Sequence, residues 1–172
     1  MKNLIIASFI VLGLSTVQAQ TVTLNVKLKP IQTLVVNTAQ KTVDLEYSSK
    51  DDYSKGVTST NTDHLSIYST GGFEVKVKSA EATMTNAGKN IKANSIQVIP
   101  SAGTNAVSGA AYTPQSLDAA EKVLVSSTSG GVDKNISVAY KGAGGDAYLD
   151  NYIAGQTSTV YTTTLTYTIV SK

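Results

Sequence analysis

Cysteine, tryptophan and arginine are missing from the chain, and histidine occurs once, as His64. Without cysteine there are no disulfides, no thiol chemistry and no thiolate metal sites. A chain of 172 residues can instead be stabilised by its core. The 14 basic residues, all lysine, stand against 12 acidic ones, and one of them is Lys2 in the leader described below. That near-balance gives no electrostatic case for nucleic acid or an anionic membrane. Proline is scarce, with three residues, and helix-forming patterns are weak. Threonine, serine, glycine and tyrosine are plentiful, which points to strands joined by turns.

The opening stretch, MKNLIIASFIVLGLSTVQA, has the grammar of a secretory leader. Lys2 supplies a positive start, Leu4 to Leu14 an apolar run, and Val17-Gln18-Ala19 a small-residue cleavage site. The apolar run is about half the ~20 residues a membrane span needs. Residues 1–19 are therefore expected to be a signal peptide and Gln20 the mature N-terminus, with residues 20–172 forming one domain.

Strand signals dominate the remainder. TVTLNVKL alternates Val22, Leu24, Val26 and Leu28 against polar positions that include Lys27, and Pro30 then interrupts any ladder. IQTLVVN, VDLEY, NSIQVIP, KVLVSST and NISVAY follow as further strands. HLSIYSTGGFEVKVKS suggests a hairpin. A three-residue loop, Thr70–Gly72, pairs Ser69 with Phe73, Ile67 with Val75 and Leu65 with Val77, with Gly72 in the left-handed region. The terminal VYTTTLTYTIV places Tyr161, Thr163, Leu165, Tyr167 and Ile169 on one face and threonines on the other. TPQSLDAAEKVL and AYLDNYIAG carry only short helical patterns. The pattern predicts an all-β, antiparallel sandwich of about 8–10 strands. Its terminal strand pairs with the first half, the N-terminal strand being the natural candidate. The expected core is Leu24, Val26, Leu45, Ile67, Phe73, Val75, Val138, Leu165, Tyr167 and Ile169.

Catalytic signals are sparse. Asp63-His64 is the only acid–histidine neighbour pair, and no nucleophile-elbow motif accompanies it. Asp146 and Asp150 lack the spacing of a calcium loop, and GAGG lacks the lysine and helix of a phosphate cradle. No catalytic residue, cofactor or metal site is expected. Nine tyrosines are divided between strands (Tyr47, Tyr68, Tyr140, Tyr161, Tyr167) and loops (Tyr53, Tyr112, Tyr148, Tyr152). Loop tyrosines suit either the wet rim of a core or stacking on a sugar.

Two stretches carry a resemblance. GGFEVKV resembles the first signature of WxL-type bacterial cell-surface domains, a glycine followed by aromatic-x-aliphatic. VYTTTLTYTIV resembles their last strand. Phe73-Glu74-Val75 and Tyr167-Thr168-Ile169 are the matching triplets, and Phe73 and Tyr167 stand where the family has tryptophan. The chain is also similar to small secreted proteins of Bacteroidetes, particularly flavobacteria, many labelled peptidoglycan-binding. The resemblance implies an Ig-like or WxL-like sandwich, with Phe73, Val75, Tyr161, Tyr167 and Ile169 as motif residues. It implies a secreted, non-enzymatic envelope protein that binds cell-wall glycan or another surface component. The alternative is a pilin-like subunit forming a homo-polymer by strand donation, because TVTLNVKL alternates as a donor strand would.

Overall fold

The computed structural model describes residues 18–172. The leader expected over residues 1–19 thus lies outside the described residues, save Gln18 and Ala19. The chain is all-β with antiparallel sheets. Its strands are β1 (Gln32–Val36), β2 (Thr58–Ser69), β3 (Phe73–Ser79), β4 (Thr83–Asn86), β5 (Lys89–Lys92) and β6 (Ile96–Ala102). They continue with β7 (Ala111–Tyr112), β8 (Gln115–Ser116), β9 (Lys122–Ser127), β10 (Gly131–Gly142) and β11 (Leu165–Ser171). One sheet has the order β1-β2-β10-β6-β8 and a second the order β11-β3-β9-β7. The small hairpin β4–β5 stands apart, its turn made by Ala87 and Gly88, both at positive φ as a type I′ turn requires.

The two larger sheets share one core. The first contributes Leu65, Ile67, Val98, Ile136, Val138 and Tyr140, and the second Phe73, Val75, Val77, Leu124 and Val125. Most are inward positions of alternating strands, and β3 shows the pattern most cleanly, buried at every second residue. In β9 a register shift opposite Val75 and Lys76 lets the adjacent Leu124 and Val125 both be buried.

Thr70–Gly72 does not close a hairpin. It carries the chain from β2 in one sheet to β3 in the other, so Leu65 and Ile67 face Phe73 and Val75 across the core instead of lying beside them. Alternation asks only that both apolar sets reach one core, and a crossing between layers meets that demand as well as a hairpin does. Gly72 is not at positive φ. It is needed for close approach, because a Cβ there would lie 3.1 Å from the Ser127 carbonyl oxygen.

The N-terminal segment departs furthest from expectation. Residues 20–30 have no ladder, and Val22, Leu24, Val26 and Leu28 are 92%, 87%, 78% and 89% exposed. Leu24 and Val26 are therefore not core residues. A strand pattern needs a neighbouring edge, and no strand of the described chain lies beside this one. The terminal strand β11 pairs with β3 alone, in the register Tyr167↔Val77 and Ile169↔Val75, and forms the edge of its sheet.

Two local readings also change. Residues 50–55 form a short helix α1 (Lys50–Lys55), because Ser49 and Asp52 make a reciprocal capping box. The helical pattern in TPQSLDAAEKVL gives way to β8 and β9, since Leu124 and Val125 are claimed by the core. AYLDNYIAG keeps a single 3-10 turn, Leu149–Asn151.

Candidate functional site

The motif residues gather on two neighbouring strands. Phe73 and Val75 on β3 are fully buried, whereas Tyr167 and Ile169 on β11 are half-buried. Val75 and Ile169 are direct register partners. Tyr161 lies four residues before β11, half-buried, and its hydroxyl donates to the Asn151 carbonyl at 2.7 Å. Phe73 and Val75 are thus sealed from any ligand, while the β11 side chains line an open edge.

His64 is buried and tied into a polar chain across the core. Its Nδ1 lies 3.0 Å from Gln40 Oε1 and its Nε2 2.8 Å from the Tyr140 hydroxyl. That hydroxyl is 2.5 Å from the Tyr167 hydroxyl. The chain links β2 and β10 of one sheet to edge strand β11 of the other. Simple alternation would have turned His64 away from Leu65 and out of the core. A bulge overrides it: between Leu65, opposite Ile136, and Asn61, opposite Val138, β2 has three residues to one in β10. Asp63 sits at the apex with φ 50, held by its carboxylate accepting from Thr104 N at 2.8 Å and Oγ1 at 2.6 Å. Asp63 and His64 therefore serve separate networks, and both imidazole nitrogens are engaged.

Burial pushes the His64 pKa down. It pushes Tyr140 up to about 12 and, with Tyr140 beside it, pushes Tyr167 up as well. Below pH ~6.5 the unfolded chain takes up a proton at His64 that the folded chain resists, so stability falls as pH drops. Above pH ~10 the unfolded chain loses phenolic protons that the fold retains, so stability falls as pH rises. Thermal melting across pH should show a plateau between these limits. In His64→Gln the decline just below pH ~6.5 should shrink, and an unchanged acid limb would contradict a buried neutral imidazole.

The open edge extends beyond β11. Residues 42–47 alternate strictly, with Val43, Leu45 and Tyr47 half-buried and Asp44 and Glu46 exposed. Residues 161–164, which lead into β11, do the same, with Tyr161 and Thr163 half-buried and Thr162 and Thr164 exposed. Both have the burial pattern of a strand without a ladder of their own. Among the described residues, no backbone group of residues 42–47 makes a hydrogen bond. In residues 158–164 only the Val160 and Thr164 carbonyls have partners, Asn86 Nδ2 and Ala80 N. Val43, Leu45 and Leu165 rest on the shared core from the outside. The alternation of VDLEY was visible in the sequence; that its partner strand is missing was not.

Of the loop tyrosines, Tyr53 and Tyr148 pack on Tyr47, and Tyr112, placed in strand β7, packs against the core. The Tyr47 ring meets Tyr53 at 5.4 Å and Tyr148 at 5.0 Å, both edge to face. The Tyr148 hydroxyl lies 2.6 Å from Ser95 Oγ. Tyr152 is the exception, half-exposed beside the exposed Leu149. In comparison with known proteins, no family model and no curated sequence matches the chain.

Proposed function

We propose that the protein is an exported, non-enzymatic structural subunit that polymerises by strand donation, with segment 20–29 adding a strand to a neighbouring copy. One observation carries this reading. Four large apolar side chains alternate along an extended segment, all are more than three-quarters exposed, and the segment's backbone has no partner among the described residues. Burying such side chains contributes about 1.5–3 kcal/mol each. A lone exposed valine needs no explanation, but four at strand spacing do. Added strands gain affinity from main-chain hydrogen bonds and specificity from alternate side-chain pockets, and this segment offers both. Removal of a leader ending at Ala19 would free it at once. The glycan-binding reading has less support, because three of the four loop tyrosines that would stack on a sugar are engaged elsewhere, Tyr53 and Tyr148 on Tyr47 and Tyr112 on the core.

Sedimentation velocity of the mature chain tests the proposal. The wild type should give a ladder of polymers. Leu24→Asp/Val26→Asp should remain monomeric, with an unchanged circular dichroism spectrum because both positions lie outside the core. A monomeric wild type over the whole accessible concentration range would sink the proposal.

A further inference from the structure

We infer that the acceptor for this strand is the open flank between residues 42–47 and 158–165 of a second copy of this chain, entered head to tail. The inference rests on the strand-donation reading and adds the site, the partner and the polarity.

The two segments are the banks of one opening. The turn at 148–151 joins them, with the Tyr148 ring against Tyr47 and the Asn151 carbonyl accepting from Tyr161. One bank turns Val43, Leu45 and Tyr47 inward and the other Tyr161, Thr163 and Leu165, and each leaves them half-covered. Each carries free backbone donors and acceptors, as the two neighbours of a missing strand would. Higher up, β1 and β11 approach one another and narrow the flank. The length fits: the six residues of 42–47 extend roughly 20 Å, as do the seven from Val22 to Leu28.

Charge fits as well. On the 42–47 bank the outward positions are Asp44 and Glu46, both exposed. On the donor the outward positions next to Val26 and Leu28 are Lys27 and Lys29, also exposed. With the apolar rows facing the core, both charge rows lie on the same outer surface, two lysines beside two carboxylates. Cross-strand pairs of opposite charge favour such a ladder and like charges oppose it.

Polarity follows from where the segment leaves the fold. Ile31 is pinned to Thr70, its N–H donating to Oγ1 at 3.0 Å, and Lys27–Gln32 pass Thr70–Gly72 and Ser171–Lys172. That is the end where β1 begins and β11 finishes. The flank lies at the other end, where β11 begins opposite Ser79 and Leu45 reaches Gly142. The seven residues of β11 put roughly 20 Å between the two. A donor at one end and an acceptor at the other make a heterologous contact, which repeats into an open filament instead of closing as a two-fold dimer.

A charge-exchange experiment tests the pairing. Asp44→Lys/Glu46→Lys sets lysine against lysine, and Lys27→Glu/Lys29→Glu sets carboxylate against carboxylate. All four positions are exposed, so both variants should keep the wild-type circular dichroism spectrum. At low ionic strength (about 20 mM) each variant alone should assemble at least about tenfold less than the wild type, and the gap should narrow as salt is added. An equimolar mixture should assemble again, because each variant's donor then complements the other's acceptor. The neutral variant Asp44→Asn/Glu46→Gln should fall between. If the wild type assembles but the mixture does no better than its components, or either reversed variant alone assembles like the wild type, the flank is not the acceptor. If the wild type stays monomeric, the donation reading falls, and this inference with it.

Discussion

Replacing Phe73 by Ala is expected to lower stability by about 3–5 kcal/mol, read as a shift of the urea midpoint with an unchanged slope. Phe73 is 0% exposed and opens β3, the strand that joins edge strand β11 to β9. Its ring fills the space just after the crossing at Thr70–Gly72, where backbone from Ser127 and Thr128 already presses on Gly72. Net stabilities of domains are about 5–15 kcal/mol, so one residue accounts for a large share. A loss below about 1 kcal/mol would mean that the ring is not in the core.

Most of the core was legible from period-two alternation. Leu45, Ile67, Val75, Val138, Leu165, Tyr167 and Ile169 all pack in or against the shared cluster, as expected. What alternation does not encode is the identity of the neighbour. Leu65–Ser69 and Phe73–Ser79 have the same inward set whether they lie side by side or face to face, and only the assembled sheets separate the two. The same limit explains Leu24 and Val26. Their segment has the pattern of a core strand, but pattern records what a strand would bury if paired, and within one chain this one is unpaired. His64 was illegible for another reason. Its inward position depends on the bulge at Asp63, whose positive φ is stabilised by Thr104, 41 residues away in sequence. The acceptor flank was half legible: the alternation and the charges of residues 42–47 are plain in VDLEY, but the absence of a ladder is a property of the tertiary structure.

Two truncations should give opposite results. Deleting residues 20–29 should leave a fully folded, strictly monomeric domain. The segment adds no hydrogen bond to the described fold, which begins to be anchored only where Ile31 meets Thr70. Its four apolar side chains already sit in water, so removing them costs the monomer almost nothing, while a polymer held by them loses the whole interface. Deleting residues 160–172 should instead leave an unfolded or aggregating chain. That deletion takes away β11, with its ladder to all seven residues of β3, and breaks the chain from His64 through Tyr140 to Tyr167. Leu165, Tyr167 and Ile169 together bury apolar surface worth roughly 1.5–3 kcal/mol each before discounting for their partial exposure, comparable with much of a domain's net stability. The loss would also leave the β11-facing backbone groups of β3 unpaired, an open edge that can template aggregation. Circular dichroism and gel filtration on the two proteins decide the matter. An unfolded chain lacking 20–29 would mean that the segment belongs to its own domain's fold and not to a neighbour's. A folded chain lacking 160–172 would mean that the core closes without β11, and that the flank beside it is not what holds a fibre together.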